Sequence, residues 1–247
     1  MKKLVIFVVG LLVSAGMCAQ SKVYFTRDIT PEALVRIYKA LGKEAKGRVA
    51  VKISTGEAGG HNYLKPELIR NLVDEVGGTI VECNTAYAGS RNTSAAHWKT
   101  IRQHGFDKIA KVDIMDEHGD MRIPVKDTTH IKYDIVGASL ANYDFMVNLA
   151  HFKGHAMGGY GGSLKNIAIG CADGQVGKRQ IHAFHESRTP VGSDWSDNMV
   201  LEEGFMENMA DCGKAICDYF GKHIVFLNVL RAMSVDCDCA GTSAAKP

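Results

Sequence analysis

No charge of one sign predominates in this chain of 247 residues: 29 Lys and Arg stand against 27 Asp and Glu, a formal charge of +2. That balance lacks the basic footprint of a nucleic-acid binder and argues against polyanions as partners. Internal repeats, low-complexity tracts and a proline-rich linker are absent too, so nothing divides the chain into separate units. With 46% hydrophobic residues it can bury a full core, and a single domain from residue 20 onward is the expectation. One long apolar run occurs, Leu4 to Val13, about half of the roughly 20 residues that a spanning helix requires. Lys2 and Lys3 precede it, and Ser14, Ala15 and Gly16 follow. That order predicts a secretory signal over residues 1–19, cleaved after Ala19, and export to the periplasm or the outside of the cell. Membrane attachment would then arise only through an uncleaved N-terminus or one lipidated at Cys18.

Dense disulfide stapling is not indicated. Cysteines stand at Cys18, Cys83, Cys171, Cys212, Cys217, Cys237 and Cys239, and loss of the signal leaves six at spacings without a repeating pattern. One or two bridges are compatible with that set. Cys212 falls on the apolar stripe Phe205, Met209, Cys212, Ile216, and Cys217 lies beside it, so both read as core residues. Cys237 and Cys239 flank Asp238 in a polar stretch; two thiolates one residue apart can share a metal or cluster, whereas a bridge between them would be strained.

What is present is an alternation of short β-branched runs with helical stretches. Strands are expected at Lys22 to Phe25, Arg48 to Ser54, Gly78 to Cys83, Lys108 to Ile114, Tyr143 to Ala150 and, as a buried strand, Ile224 to Leu230. Helices are expected from Thr30 and Pro31 as N-cap and first-turn proline, from Pro66, from Thr93 to Gly105, and over Met199 to Phe220. Strands alternating with helices imply right-handed crossovers and an α/β fold: a mostly parallel sheet flanked by helices. Between Asp116 and Val136 the pattern weakens to a small antiparallel excursion.

The densest chemistry lies in His151 to Asn166, directly after a predicted central strand, where five of sixteen residues are glycine. Two nucleotide templates fail there. A phosphate loop needs lysine directly after its last glycine, but Lys165 lies three positions beyond Gly162. A dinucleotide fingerprint starting at Gly159 and Gly161 meets Leu164 where its third glycine belongs. What remains is a candidate site for a small anionic ligand, made of Lys153, His155, Gly158, Gly159, Gly161, Gly162, Lys165 and Asn166. Glycines admit a ligand to backbone N–H groups, a helix starting at Ser163 would aim its N-terminus at an anion, and His and Lys can hold charge or move protons. Loops Thr55 to Leu64 and Asn84 to Asn92 should meet this segment at the carboxyl edge of the sheet. Lys178 to His185 either closes the pocket or forms a solvated helix with exposed His182 and His185.

The run His151 to Gly170, above all Lys153-Gly154-His155 and Gly161 to Asn166, resembles the signature of domain-of-unknown-function family 362. Val51 to Glu57, Val81 to Tyr87 and Asp236 to Cys239 resemble its branch of uncharacterised iron-sulfur centre proteins. The resemblance covers nearly everything after the signal. It implies an iron-sulfur cluster or other metal at Cys237 and Cys239, near Lys153, His155, Lys165 and Asn166, with a redox role, and a fold that continues past Pro247. The separate ferredoxin-like cysteine set of many members does not occur in this chain. Beside the redox protein stand two other expectations: an enzyme that binds a small anion at residues 151–166 without a cluster, and an exported binding module without catalysis.

Overall fold

The computed structural model describes residues 21–183 and 202–234. The signal expected at residues 1–19, His185 and the Cys237/Cys239 pair lie outside these residues.

Strands β1 (Val49–Lys52), β2 (Thr79–Glu82), β3 (Val112–Ile114), β6 (Phe145–His151) and β9 (Ile224–Val229) form a five-stranded sheet in the order β3-β2-β1-β6-β9. Every pairing in it is parallel. Helices α1 (Pro31–Ala40), α2 (Pro66–Val76) and α3 (Ser94–His104) precede β6, and α4 (Ser163–Cys171), α5 (Gly177–Ala183) and α6 (Glu202–Phe220) follow it. The α/β class read from the sequence is the architecture found. The antiparallel excursion is β4 (Asp120–Pro124) paired with β5 (Tyr133–Gly137).

Local signals explain the helix ends. Thr30 accepts a hydrogen bond from the Ala33 N–H and Thr93 from the Ala96 N–H, each filling a donor that the first turn leaves unmet. Gly77 and Gly105 end α2 and α3 in the left-handed conformation, where a Cβ would be strained. Alternation along the strands then sorts the two cores. Val49, Val51, Ile53, Val147 and Leu149 pack with Leu34, Ile69, Leu72 and Ile101 of α1, α2 and α3. Ala50, Val81 and Met146 pack with Ile167, Ala168, Phe205 and Ile216 of α4 and α6. Lys52, two residues beyond Ala50, therefore leaves the last turn of β1 on the α4 face.

Two expectations are corrected. Lys22 to Phe25 forms no strand: it is irregular, with Val23 91% exposed, because a β-branched run without a neighbouring strand has no ladder to join. The strand expected over Ile224 to Leu230 spans Ile224–Val229 at the edge of the sheet, and it is buried at Ile224, Val225, Leu227 and Val229 but exposed at Phe226, so it is buried only in part.

Candidate functional site

The carboxyl ends of β1, β2 and β6 open onto a cleft of about 410 Å³, large enough for a small metabolite. Of the residues singled out in sequence, Lys153, His155, Gly161, Gly162, Lys165 and Asn166 line it. Gly158 and Gly159 do not: they turn the hairpin of β7 (Lys153–His155) and β8 (Gly159–Gly161), with Gly159 in the left-handed region. At the start of α4, Asn228 of β9 accepts from the Ser163 N–H at 2.9 Å and from its hydroxyl at 3.0 Å, which takes up one of the first-turn donors. The segment is thus a hairpin that places side chains, rather than a glycine cradle that offers N–H groups.

Lysine placement is the outcome of this hairpin. A Cβ added at Gly161 would stand 3.4 Å from Lys153 Cγ and 3.7 Å from Lys165 Cδ, so both aliphatic stems run past one point. Lys153 is buried and Lys165 half-buried. Below them Asn166 fastens α4 to the sheet: its amide nitrogen donates to the Lys52 carbonyl at 3.0 Å and to Asn148 Oδ1 at 2.5 Å. The other end of this amide, Oδ1, accepts from Lys52 Nζ at 3.1 Å, and the Ile53 carbonyl accepts from the same amine at 2.6 Å. Lys52 is 1% exposed, and a Cβ at Gly170 would lie 2.4 Å from its Nζ, so that glycine leaves the amine its place. Burial lowers the Lys52 pKa, and the Glu82 carboxylate opposes that shift.

A second polar cluster borders the cleft at the end of β2. Arg91 lies between two carboxylates, donating to Glu82 Oε1 at 2.6 Å and to Glu57 Oε1 at 2.8 and 3.0 Å. Glu82 Oε2 also accepts from the Thr55 N–H and hydroxyl at 2.9 and 2.6 Å, with His97 Nε2 at 3.2 Å. Burial alone would push the Glu82 carboxyl up; Arg91, His97 and Lys52 outweigh it and hold the group well below the usual carboxylate range. Of the two loops expected at this edge, Asn84 to Asn92 lines the cleft through Thr85, Ala86, Tyr87 and Arg91. Thr55 to Leu64 acts from behind, through Glu57 on Arg91.

The Lys178 to His185 stretch is not a solvated helix where it is described. Helix α5 buries Lys178, Arg179 and Gln180, and Lys178 and His182 line the cleft. Its start is fixed by Asp173, whose side chain accepts from the Gln175 and Val176 N–H groups. Lys178 Nζ donates to the Ala172 carbonyl at 2.6 Å. His182 donates from Nδ1 to the Lys178 carbonyl at 2.5 Å and packs on Phe205 with ring centroids 4.6 Å apart. Burial, with Lys165 and Lys178 nearby, moves its pKa down to about 4. The imidazole is therefore neutral at pH 7, with its lone pair on Nε2. His155 has the opposite tautomer: Nδ1 accepts from the Gly158 N–H at 3.0 Å, which leaves the ring proton on Nε2.

The cysteines were tested as cluster ligands. Cys83 donates its thiol to the Cys171 carbonyl, and burial raises both thiols, Cys171 up to about 12, so neither is poised as a thiolate. Cys212 is buried in the α6 core, as its stripe predicts, and Cys217 is half-buried beside it; all four are free. Among the described residues no group of three His, Cys, Asp or Glu could hold a metal ion. The described residues thus do not fit an iron-sulfur centre.

Sequence reasoning missed Lys52 and Glu82. The available signal was a single charge closing each of two apolar runs, Val49-Ala50-Val51-Lys52 and Thr79-Ile80-Val81-Glu82, in a sheet covered on both faces.

Sheet order and cleft define the class: an α/β protein with a ligand-sized cleft at the carboxyl edge of a parallel sheet. Residues 49–247 match the model of the family described as domain of unknown function (DUF362), and the chain belongs to that family. A comparison with curated proteins finds no match. Among solved structures the chain is similar to the lactate racemase apoprotein from Thermoanaerobacterium thermosaccharolyticum, with a TM-score of 0.51 and 13% sequence identity. That likeness covers 82% of this chain and 49% of the other, so the chain spans about half the length of that protein. At this identity the likeness speaks for the fold.

Proposed function

We propose that this chain is an enzyme that takes a small anionic substrate of the carboxylate class into the cleft at the carboxyl edge of its sheet. One observation carries the reading. Lys153 and Lys165 converge at Gly161, Lys52 and Lys178 share the same lining, and Glu82, the one carboxylate among the described lining residues, is engaged by Arg91. Bringing like charges together raises the energy of the empty site, and an anion offsets that cost most effectively where the walls exclude water.

The two histidines supply complementary proton chemistry. His182 and His155 line the cleft in opposite tautomers, one with its lone pair and the other with its proton on Nε2, and we assign them as base and acid. Lysines then hold the anion and stabilise negative charge that develops during the reaction. The neighbouring racemase fold is compatible with an enzyme and does not by itself set the reaction. Export directed by residues 1–19 belongs to the same proposal.

Thermal stabilisation by pyruvate and L-lactate at constant ionic strength tests the reading. Lys165→Ala should abolish the stabilisation seen with the unmodified protein; unchanged stabilisation would count against the cleft. The redox reading rests on Cys237 and Cys239, outside the described residues. Iron and sulfide analysis after anaerobic purification separates it, since colourless, metal-free protein removes it. A binding module without catalysis would hold the carboxylate yet exchange no substrate proton with deuterated solvent.

A further inference from the structure

We propose that the Lys52 ammonium is the carboxylate anchor of the cleft, a subsite on the sheet that is distinct from the Gly/His/Lys hairpin. The inference rests on the cleft reading above and adds which group the substrate must present, and where. Four observations support it.

Lys52 is placed by the sheet, not by a loop. It ends the central strand β1, which is paired on both sides, so its Cα cannot drift with the hairpin. The side chain is 1% exposed and yet forms part of the cleft wall. Its bonding is incomplete for a cation: an ammonium has three N–H donors, and among the described residues the Ile53 carbonyl and Asn166 Oδ1 take two. The third has no acceptor among the described residues, and the residue lines the cleft. A buried charged donor without an acceptor is costly, and a ligand oxygen in that position relieves it. Gly170 completes the arrangement, because any side chain there would displace the amine.

The surroundings also select the anion. Around the remaining N–H stand two acceptor oxygens, from Ile53 and Asn166, and the Glu82 carboxylate acts on the same amine. A carboxylate presents one oxygen to the donor and can turn the other toward the cationic hairpin. Phosphate, in good part a dianion at neutral pH, brings a second negative charge toward Glu82 that a carboxylate does not. The subsite therefore suits a singly charged carboxylate.

Calorimetric titration of the folded protein with pyruvate, L-lactate and inorganic phosphate at constant ionic strength tests the anchor. Both carboxylates should bind more tightly than phosphate. Gly170→Ala keeps every charge and moves only the amine, and it should weaken carboxylate binding about tenfold or more, as should Lys52→Met. Should the variants fail to fold, nitrogen-detected NMR of the lysine ammoniums in the unmodified protein gives the answer, because a buried, hydrogen-bonded ammonium exchanges slowly enough to be seen. Its Lys52 signal should shift on addition of pyruvate, and a static signal under saturating pyruvate overturns the anchor. Unaltered affinity in folded Gly170→Ala and Lys52→Met, with loss in Lys165→Ala, overturns the anchor and leaves the cleft reading standing. Absence of binding by every probe to the unmodified protein overturns both.

Discussion

Two buried polar clusters end neighbouring strands of one sheet, and they are balanced in different ways. At the end of β2, Arg91 is matched by the carboxylates of Glu57 and Glu82, which are matched in turn by Ser90, Thr55 and His97. At the ends of β1 and α4, by contrast, the ammoniums of Lys52 and Lys178 are held by carbonyl and amide oxygens of Ile53, Asn166 and Ala172. Neutral acceptors satisfy hydrogen bonds without cancelling charge. The first cluster is thus closed and serves as scaffold, while the second keeps its positive charge directed at the cleft. Buried charges that are matched mainly fix geometry, and the mismatch marks where a ligand belongs.

The largest expected effect breaks the closed cluster. Arg91→Met leaves the buried Glu82 and the half-buried Glu57 without their cation and should cost roughly 3–5 kcal/mol in urea denaturation. A loss under about 1 kcal/mol would show that the two clusters do not differ in this way.

Asp134 sharpens the comparison from the opposite sign of charge. It is fully buried against Cys212 of α6, and only weak contacts from the Cys212 thiol and the Ile135 N–H favour its charged form. Burial raises its pKa to about 7 against 3.8 for an ordinary aspartate. Between those values the folded protein holds a proton that the unfolded chain releases, so stability falls as pH rises through that window and levels off above it. Asp134→Asn should therefore stabilise the protein at pH 8, by on the order of 2 kcal/mol, and the gain should vanish toward pH 4. Melting curves of the two proteins across that range check both the sign and the window.

The smallest effect concerns the open cluster. Lys52→Met leaves Glu82 paired with Arg91 and removes a buried charge that no carboxylate neutralises directly, so the cost should be only about 1 kcal/mol. A loss as large as that of Arg91→Met would make Lys52 part of the scaffold.

How much of this was legible depends on the range of the interactions. Helix ends follow from residues within four positions, and Thr30, Pro31, Thr93 and Gly105 were readable for that reason. The parallel sheet was readable from β-branched runs spaced by helices. Lys22 to Phe25 carries the same local pattern, but a strand exists only with a partner, and the partner is not a local property. The candidate site divides along the same line. Its hairpin stood out because Gly, His and Lys cluster within sixteen residues. Lys52 and Asn166 are 114 positions apart, and Ser163 is capped by Asn228 from 65 positions away, so neither contact leaves a signature in either segment alone. Lys52 and Glu82 fall inside the strands expected at Arg48 to Ser54 and Gly78 to Cys83, and only the sheet order shows that both are covered.

Backbone amide NMR of the isotopically labelled protein during titration with pyruvate tests the central claim most directly. Saturable shifts should concentrate at Ile53, Lys153 to Asn166 and Lys178 to His182, the segments that surround the cleft. Shifts scattered over surface lysines without saturation, or confined to the far ends of the strands, would contradict it.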